Sequence, residues 1–158
     1  MSERQRILNL VDRAYKAHSW PGAALLEAIE GVTPALAAKH PVRGAHSIWE
    51  LVEHVASWNE IVAERLEGTT PVVTPARNFP RVTKTTPAAW KASLGRLARA
   101  QAQLRRAVAA FPVAKLGRRR PKTSHAWYVL IHGQIQHTIY HTGQIAMMRR
   151  GLGKPVKS

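Results

Sequence analysis

Apolar positions three and four apart recur in four stretches of the chain, and no period-two alternation lasts more than a few residues. That pattern predicts an all-α fold. The first stretch, about Glu3 to Ala17, places Ile7, Leu10, Val11 and Ala14 on one helical face. Ser19-Trp20-Pro21-Gly22 then breaks it before a short continuation from Ala23 to Glu30. The second stretch opens with Ser47 as N-cap and Glu50 three residues on, the two halves of a capping box, and runs to about Leu66 with Gly68 as stop signal. Residues 68–85, with Pro71, Pro75, Pro80 and five threonines, cannot continue a helix and read as a long surface connection, a crossover or a loop rimming a site. The third stretch starts with Thr86 as cap and Pro87 at the first position. It sets Trp90, Leu94, Leu97, Leu104, Val108 and Phe111 on one stripe and ends at Pro112. Thr123 or Ser124 is the expected cap of the fourth helix, which runs to about Arg150 with Gly151 as terminator. Four such units predict a four-helix bundle, and 158 residues suit a single domain spanning residues 1–158.

Charge and composition narrow the function classes. There are no cysteines, which excludes disulfides, thiolate metal ligands and a cysteine nucleophile, so any thiol chemistry would need a thiol from outside the chain. No stretch approaches the roughly 20 apolar residues of a membrane span, and a soluble, cytoplasmic protein without membrane association is expected. The 24 Lys and Arg against 9 Asp and Glu give a formal charge of +15, densest in the run Lys115 to Lys122 that contains Arg118, Arg119 and Arg120. No helix-turn-helix, zinc-finger or aromatic stacking signature accompanies the charge, so no specific nucleic-acid binding is expected and the surface reads as a solvated basic one.

The candidate chemistry lies in histidines. His137 and His141 are four residues apart on the fourth helix, which puts both imidazoles on one face, roughly 6 Å apart at Cβ. That face also carries Leu130, Gln134, Gln144 and Met148. His54 falls mid-helix on the inward stripe of Leu51, Trp58 and Ile61, so the second and fourth helices can bring three imidazoles together around one divalent ion. Separate core histidines bonded to carbonyls would give the same spacing. Three neutral ligands leave a coordination position open, and Gln134 and Gln144 are candidate hydrogen-bond donors around the three imidazoles. Glu50 is committed to the cap, and Glu53 points about 100° away from His54, which makes it a surface or interface residue. His18, His40, His46, His125 and His132 are assigned structural or surface roles. The fourth helix is also apolar at Tyr128, Ile135, Ile139 and Ala146, which suggests either a homodimer contact or a central, well-covered helix.

Two blocks carry a family resemblance: His46-Ser47-Ile48-Trp49-Glu50-Leu51-Val52-Glu53-His54-Val55-Ala56-Ser57-Trp58, and His132-Gly133-Gln134-Ile135-Gln136-His137-Thr138-Ile139-Tyr140-His141-Thr142-Gly143-Gln144-Ile145. With Leu25 to Gly31 between the helices, the chain resembles the DinB (DinB/YfiT-like) superfamily over nearly its whole length. It departs from that pattern at Pro21, where a histidine is common. The resemblance implies an up-down-down-up four-helix bundle, frequently dimeric, with one metal on His54, His137 and His141. Relatives include S-transferases and isomerases that use small thiols, as well as metal-dependent hydrolases. The expected cofactor is one divalent ion, zinc or nickel first, then iron, manganese or cobalt. The expected activity is a small-thiol S-transferase with a thiol co-substrate, the alternatives being a non-catalytic metal-binding protein and a metal-dependent hydrolase.

Overall fold

A computed structural model of the chain describes residues 1–156; residues 157–158, the end of the expected domain span, lie outside the described residues. Among the described residues there are seven α-helices: α1 (Glu3–Tyr15), α2 (Leu25–Ile29), α3 (Pro34–Ala37), α4 (Ile48–Leu66), α5 (Pro75–Asn78), α6 (Pro87–Ala110) and α7 (Trp127–Gly151), with a 3-10 turn at Val113–Lys115. They include no strand, only an isolated bridge between Arg119 and Ala126. The four long helices make the bundle. α4 packs against α6 and α7, and α1 packs against the same two from the opposite corner. No helix among the described residues is long and apolar enough to cross a membrane.

Local signals set most of the boundaries. The Ser47 Oγ accepts from the Glu50 N–H at 3.2 Å while the Glu50 carboxylate accepts from the Ser47 N–H at 2.8 Å, the reciprocal box expected at the start of α4. Burial pushes the Glu50 carboxyl up, but the Ser47 N–H and the rings of His40 and His46 outweigh it and hold the group below its usual range. Thr86 caps α6 through the Ala89 N–H, with Pro87 in the first turn. Such a cap contributes about 1 kcal/mol, so the long helices owe their stability chiefly to the faces they bury.

Those faces form two apolar clusters. One gathers Leu25, Ile48, Trp49, Val52, Trp90, Leu97 and Ile145, the other Ile7, Val11, Val62, Leu104, Ile131 and Ile135. A buried polar layer falls between them on α4 and α6. Gln134 donates to Asn59 at 2.8 Å, Asn59 donates to Gln101 at 3.0 Å, and Gln101 donates to the Val11 carbonyl at 3.4 Å, so one amide chain touches all four long helices. Burying amides without partners is costly, and here each is paired.

Several expectations are corrected. α7 does not start at a Thr123 or Ser124 cap; its N-cap is Ala126, with no side-chain bond. The bridge between Arg119 and Ala126 and the bond from the Arg120 N–H to the His125 carbonyl hold the preceding residues in a tight loop. The first helical donors, Trp127 and Tyr128, are satisfied by the carbonyls of Arg118 and Leu116. At the other end Gly151 is still helical and Leu152 is the C-cap; Gly153, at φ 69°, makes the left-handed turn that stops the chain. Arg149 is more than a favourable charge at that terminus. It is buried, and it donates to the carbonyls of Ala28, Glu30 and Lys154, tying the C-terminal end of α2 to the end of α7. The first segment ends at Tyr15 rather than Ala17, the short continuation narrows to Leu25–Ile29, and α3 and α5 are single turns, each started by a threonine cap and a proline, that periodicity over longer windows passes over. On the second side of α7, Ile135 is buried and Ile139 partly buried against the α1 cluster, while Tyr128 is exposed.

Candidate metal centre

α4 and α7 are neighbours, and their inward faces meet at His54, His137 and His141. The ligand atoms of the three rings all lie within 4.8 Å of one another. The His137 Nε2 sits 2.9 Å from the His54 Nε2 and 3.0 Å from the His141 Nε2, so three ring nitrogens point at one spot. His54 and His141 are buried and His137 is half-buried.

The partners of the outer ring nitrogens fix the tautomers. The His54 Nδ1 lies 2.6 Å from the Asn78 carbonyl, which can only accept, so Nδ1 carries the proton and Nε2 presents a lone pair. The His141 Nδ1 lies 2.6 Å from the Gln144 Oε1, whose amide is oriented by the bond its own Nε2 donates to the Tyr140 hydroxyl. The His141 Nε2 is therefore also a lone pair. The His137 Nδ1 is buried with no partner among the described residues. A proton on the His137 Nε2 can serve one of the two facing lone pairs and leaves the other unmet; a proton on its Nδ1 leaves three lone pairs converging. A cation at the centre satisfies all three.

Electrostatics favours the ligating form. Burial pushes His54 down to about 4, with the charges of His141 and His46 adding to it and the Asn78 bond opposing it. Burial and then the neighbouring rings of His141 and His54 push His137 down to about 3. His141 is lowered by burial as well, partly offset by Gln144. All three are neutral near pH 7, as metal binding requires.

The expected outer residues divide. Gln144 stands beside the cluster but accepts from the His141 ring rather than donating as expected, whereas Gln134 spends its amide on Asn59 and does not reach the rings. Glu53 pairs with Arg96 of α6, and Glu50 stays with its cap and His40. The cluster contains no carboxylate and none of the other five histidines. His46 comes near by another route: its ring stacks on Phe79 at 3.8 Å, and Phe79 stacks in turn on His54 at 3.9 Å. Asn78 and Phe79 are the functional residues that sequence reasoning passed over, although the connection that holds them was read as a possible rim. Asn78 bonds His54 through its carbonyl and Trp58 through its side chain at 2.8 Å, and Ser57 donates to the Arg77 carbonyl. A cleft of about 250 Å³ opens beside His137, walled by Trp58, Val62, Val129 and Leu130.

Compared with known protein families, residues 18–145 match the model of the DinB superfamily, a span that contains all three histidines, the whole of α4 and α7 as far as Ile145. No match is found among curated proteins or among solved structures.

Proposed function

The chain belongs to the DinB superfamily, and from that premise we propose that it is a divalent-metal protein whose ion is held by His54, His137 and His141. The observation that carries the reading is the unmet lone pair among three converging Nε2 atoms, two of them locked as acceptors by Asn78 and Gln144. All-imidazole donor sets suit zinc and nickel, then iron and cobalt, and manganese less well. Elemental analysis of untagged protein, beside a variant with His137→Ala and His141→Ala, tests it. Near-stoichiometric metal in the parent and its loss in a variant of unchanged helicity is the expected result. Metal-free protein in both after reconstitution overturns it.

The activity proposed is transfer chemistry on a small thiol. A divalent ion on three neutral ligands supplies Lewis acidity that brings a thiol or water at an open position toward ionisation at neutral pH. With no cysteine in the chain the thiol must come from solution, and the cleft beside His137 gives a second molecule room to approach. Screening metal-loaded protein with common cellular thiols and electrophiles tests this, and no turnover with any pair would remove it. The competing reading is a structural ion tying α4 to α7, favoured by the burial of His54 and His141. An exchangeable water on a bound paramagnetic ion separates the two. Hydrolysis is the weaker alternative, because no carboxylate stands with the histidines to serve as acid or base.

A homodimer is part of the same proposal, resting on the exposed Tyr140 and Met147 along α7. Light scattering is expected to give twice the chain mass; a monomer at high concentration would rule it out.

A further inference from the structure

The cleft beside His137 does not end at its apolar walls. Arg120 forms its far side and is also part of a second hollow, of about 360 Å³, whose other cations are Arg65 and Lys122. The first hollow is lined almost wholly by carbon, whereas the second mixes Trp127 and Pro121 with the cations and the hydroxyl-bearing Thr69, Thr70 and Thr123. No acidic side chain lines either, and Arg65, Arg120 and Lys122 form no ion pair among the described residues. By contrast Arg77, Arg96 and Arg105 all have carboxylate partners.

Four further observations mark this as more than a basic surface. The Nε of Arg120 is buried and lacks a hydrogen-bond partner, which is costly for a charged donor unless something outside the chain accepts from it. The Arg65 guanidinium lies 5.7 Å over the ring of Trp58, so the wall of the apolar hollow is also the floor under a cation. Lys122 is held at φ 58°, a left-handed conformation that is strained for a non-glycine residue. Burial and then the charges of Arg120 and Arg77 push the Arg65 guanidinium down, which an anion placed among them would relieve.

We propose that the two hollows are one ligand cleft for a small organic acid. Its carboxylate is held by Arg120 with Arg65 and Lys122 around it, and its apolar body lies on Trp58, Val62 and Val129 toward His137. The volumes fit a fragment of the size of a substituted benzene ring. Arg presents a planar fork that matches a carboxylate, so charge and shape are read together. The inference rests on the proposed function only for its orientation toward the histidines, since the anion-binding residues lie outside them.

Isothermal titration at fixed ionic strength, with both chelator-treated and metal-loaded protein, tests it using phenylpropionate, phenylpropanol and acetate as probes. Saturable binding of phenylpropionate, at least about tenfold tighter than the alcohol or acetate, is expected in both forms of the protein. Arg120→Gln is expected to bring phenylpropionate down to the affinity of phenylpropanol, and Val129→Trp to abolish both by filling the apolar hollow. Arg118→Gln, an exposed change in the same loop, should leave all three unchanged. Equal affinity for acid and alcohol, equal losses in the Arg118 and Arg120 variants, or no saturable binding would each overturn the cleft. Binding that survives in protein unable to take up metal would sustain the cleft while removing the metal reading.

Discussion

The His141 Nδ1 and the Gln144 Oε1 lie 2.6 Å apart on adjacent turns of α7, so the helix that carries His141 also supplies the group that fixes its proton. Gln144→Ala keeps all three ring nitrogens but releases the tautomer and rotation of His141. Metal affinity, measured by competition with a chromophoric chelator, is expected to fall about 10–100-fold while helicity stays unchanged. An unchanged affinity would mean that packing alone orients the ring.

Phe79 is sandwiched between His46 and His54 and arrives from the connection between α4 and α6. Phe79→Ala removes both stacking contacts, and with them the clamp that holds Asn78 on His54. Proteolysis of residues 68–85 is expected to quicken in the variant, and added metal is expected to slow it by restoring order at His54. Parent-like cleavage without metal would show that the Asn78 and Arg77 bonds hold the connection unaided.

In the metal-free protein, His54 and His137 are lowered from 6.5 to about 4 and about 3. The unfolded chain therefore binds more protons than the folded one between those values and 6.5, and stability rises with pH across that window. Stability contributed by the neutral rings is whole above pH 6.5 and is lost as pH falls through the folded values, at up to about 1.4 kcal/mol per pH unit for each ring. Urea denaturation of the parent and of His54→Ala at several pH values reads this as a flatter slope in the variant. Parallel slopes would contradict it.

Asn59 is fully buried and both donates to Gln101 and accepts from Gln134. Asn59→Leu leaves two buried amide groups without partners, about 1–3 kcal/mol for each. The urea midpoint is expected to drop accordingly, whereas replacing Asn59, Gln101 and Gln134 together by apolar residues should recover part of the loss. Recovery in the single variant alone would show that water fills the gap.

How much of this was legible follows from what each feature depends on. The capping box Ser47–Glu50, the Thr86–Pro87 start and the stripe of α6 are short-range signals, and they appear where the sequence places them. His54, His137 and His141 were legible because each lies on an inward stripe, and only two helices had to meet for the three to converge. The start of α7 was not legible, because its donors are satisfied by backbone carbonyls of the preceding loop, a pattern that no side chain announces. Nor was the role of Asn78, which bonds His54 through its main chain. Arg149 looked like a charge suited to a helix end; two of its carbonyl partners, Ala28 and Glu30, lie more than a hundred residues away in sequence, beyond any local reading.

The amide layer of Asn59, Gln101 and Gln134 sets the reading frame of one helix against the next. His54 stands five positions before Asn59 and His137 three positions after Gln134, so the level at which the imidazoles meet is counted off from the amides. A single residue inserted between His54 and Asn59 would leave the layer anchored and swing His54 by about 100° out of the cluster, dispersing it without replacing one of its three histidines.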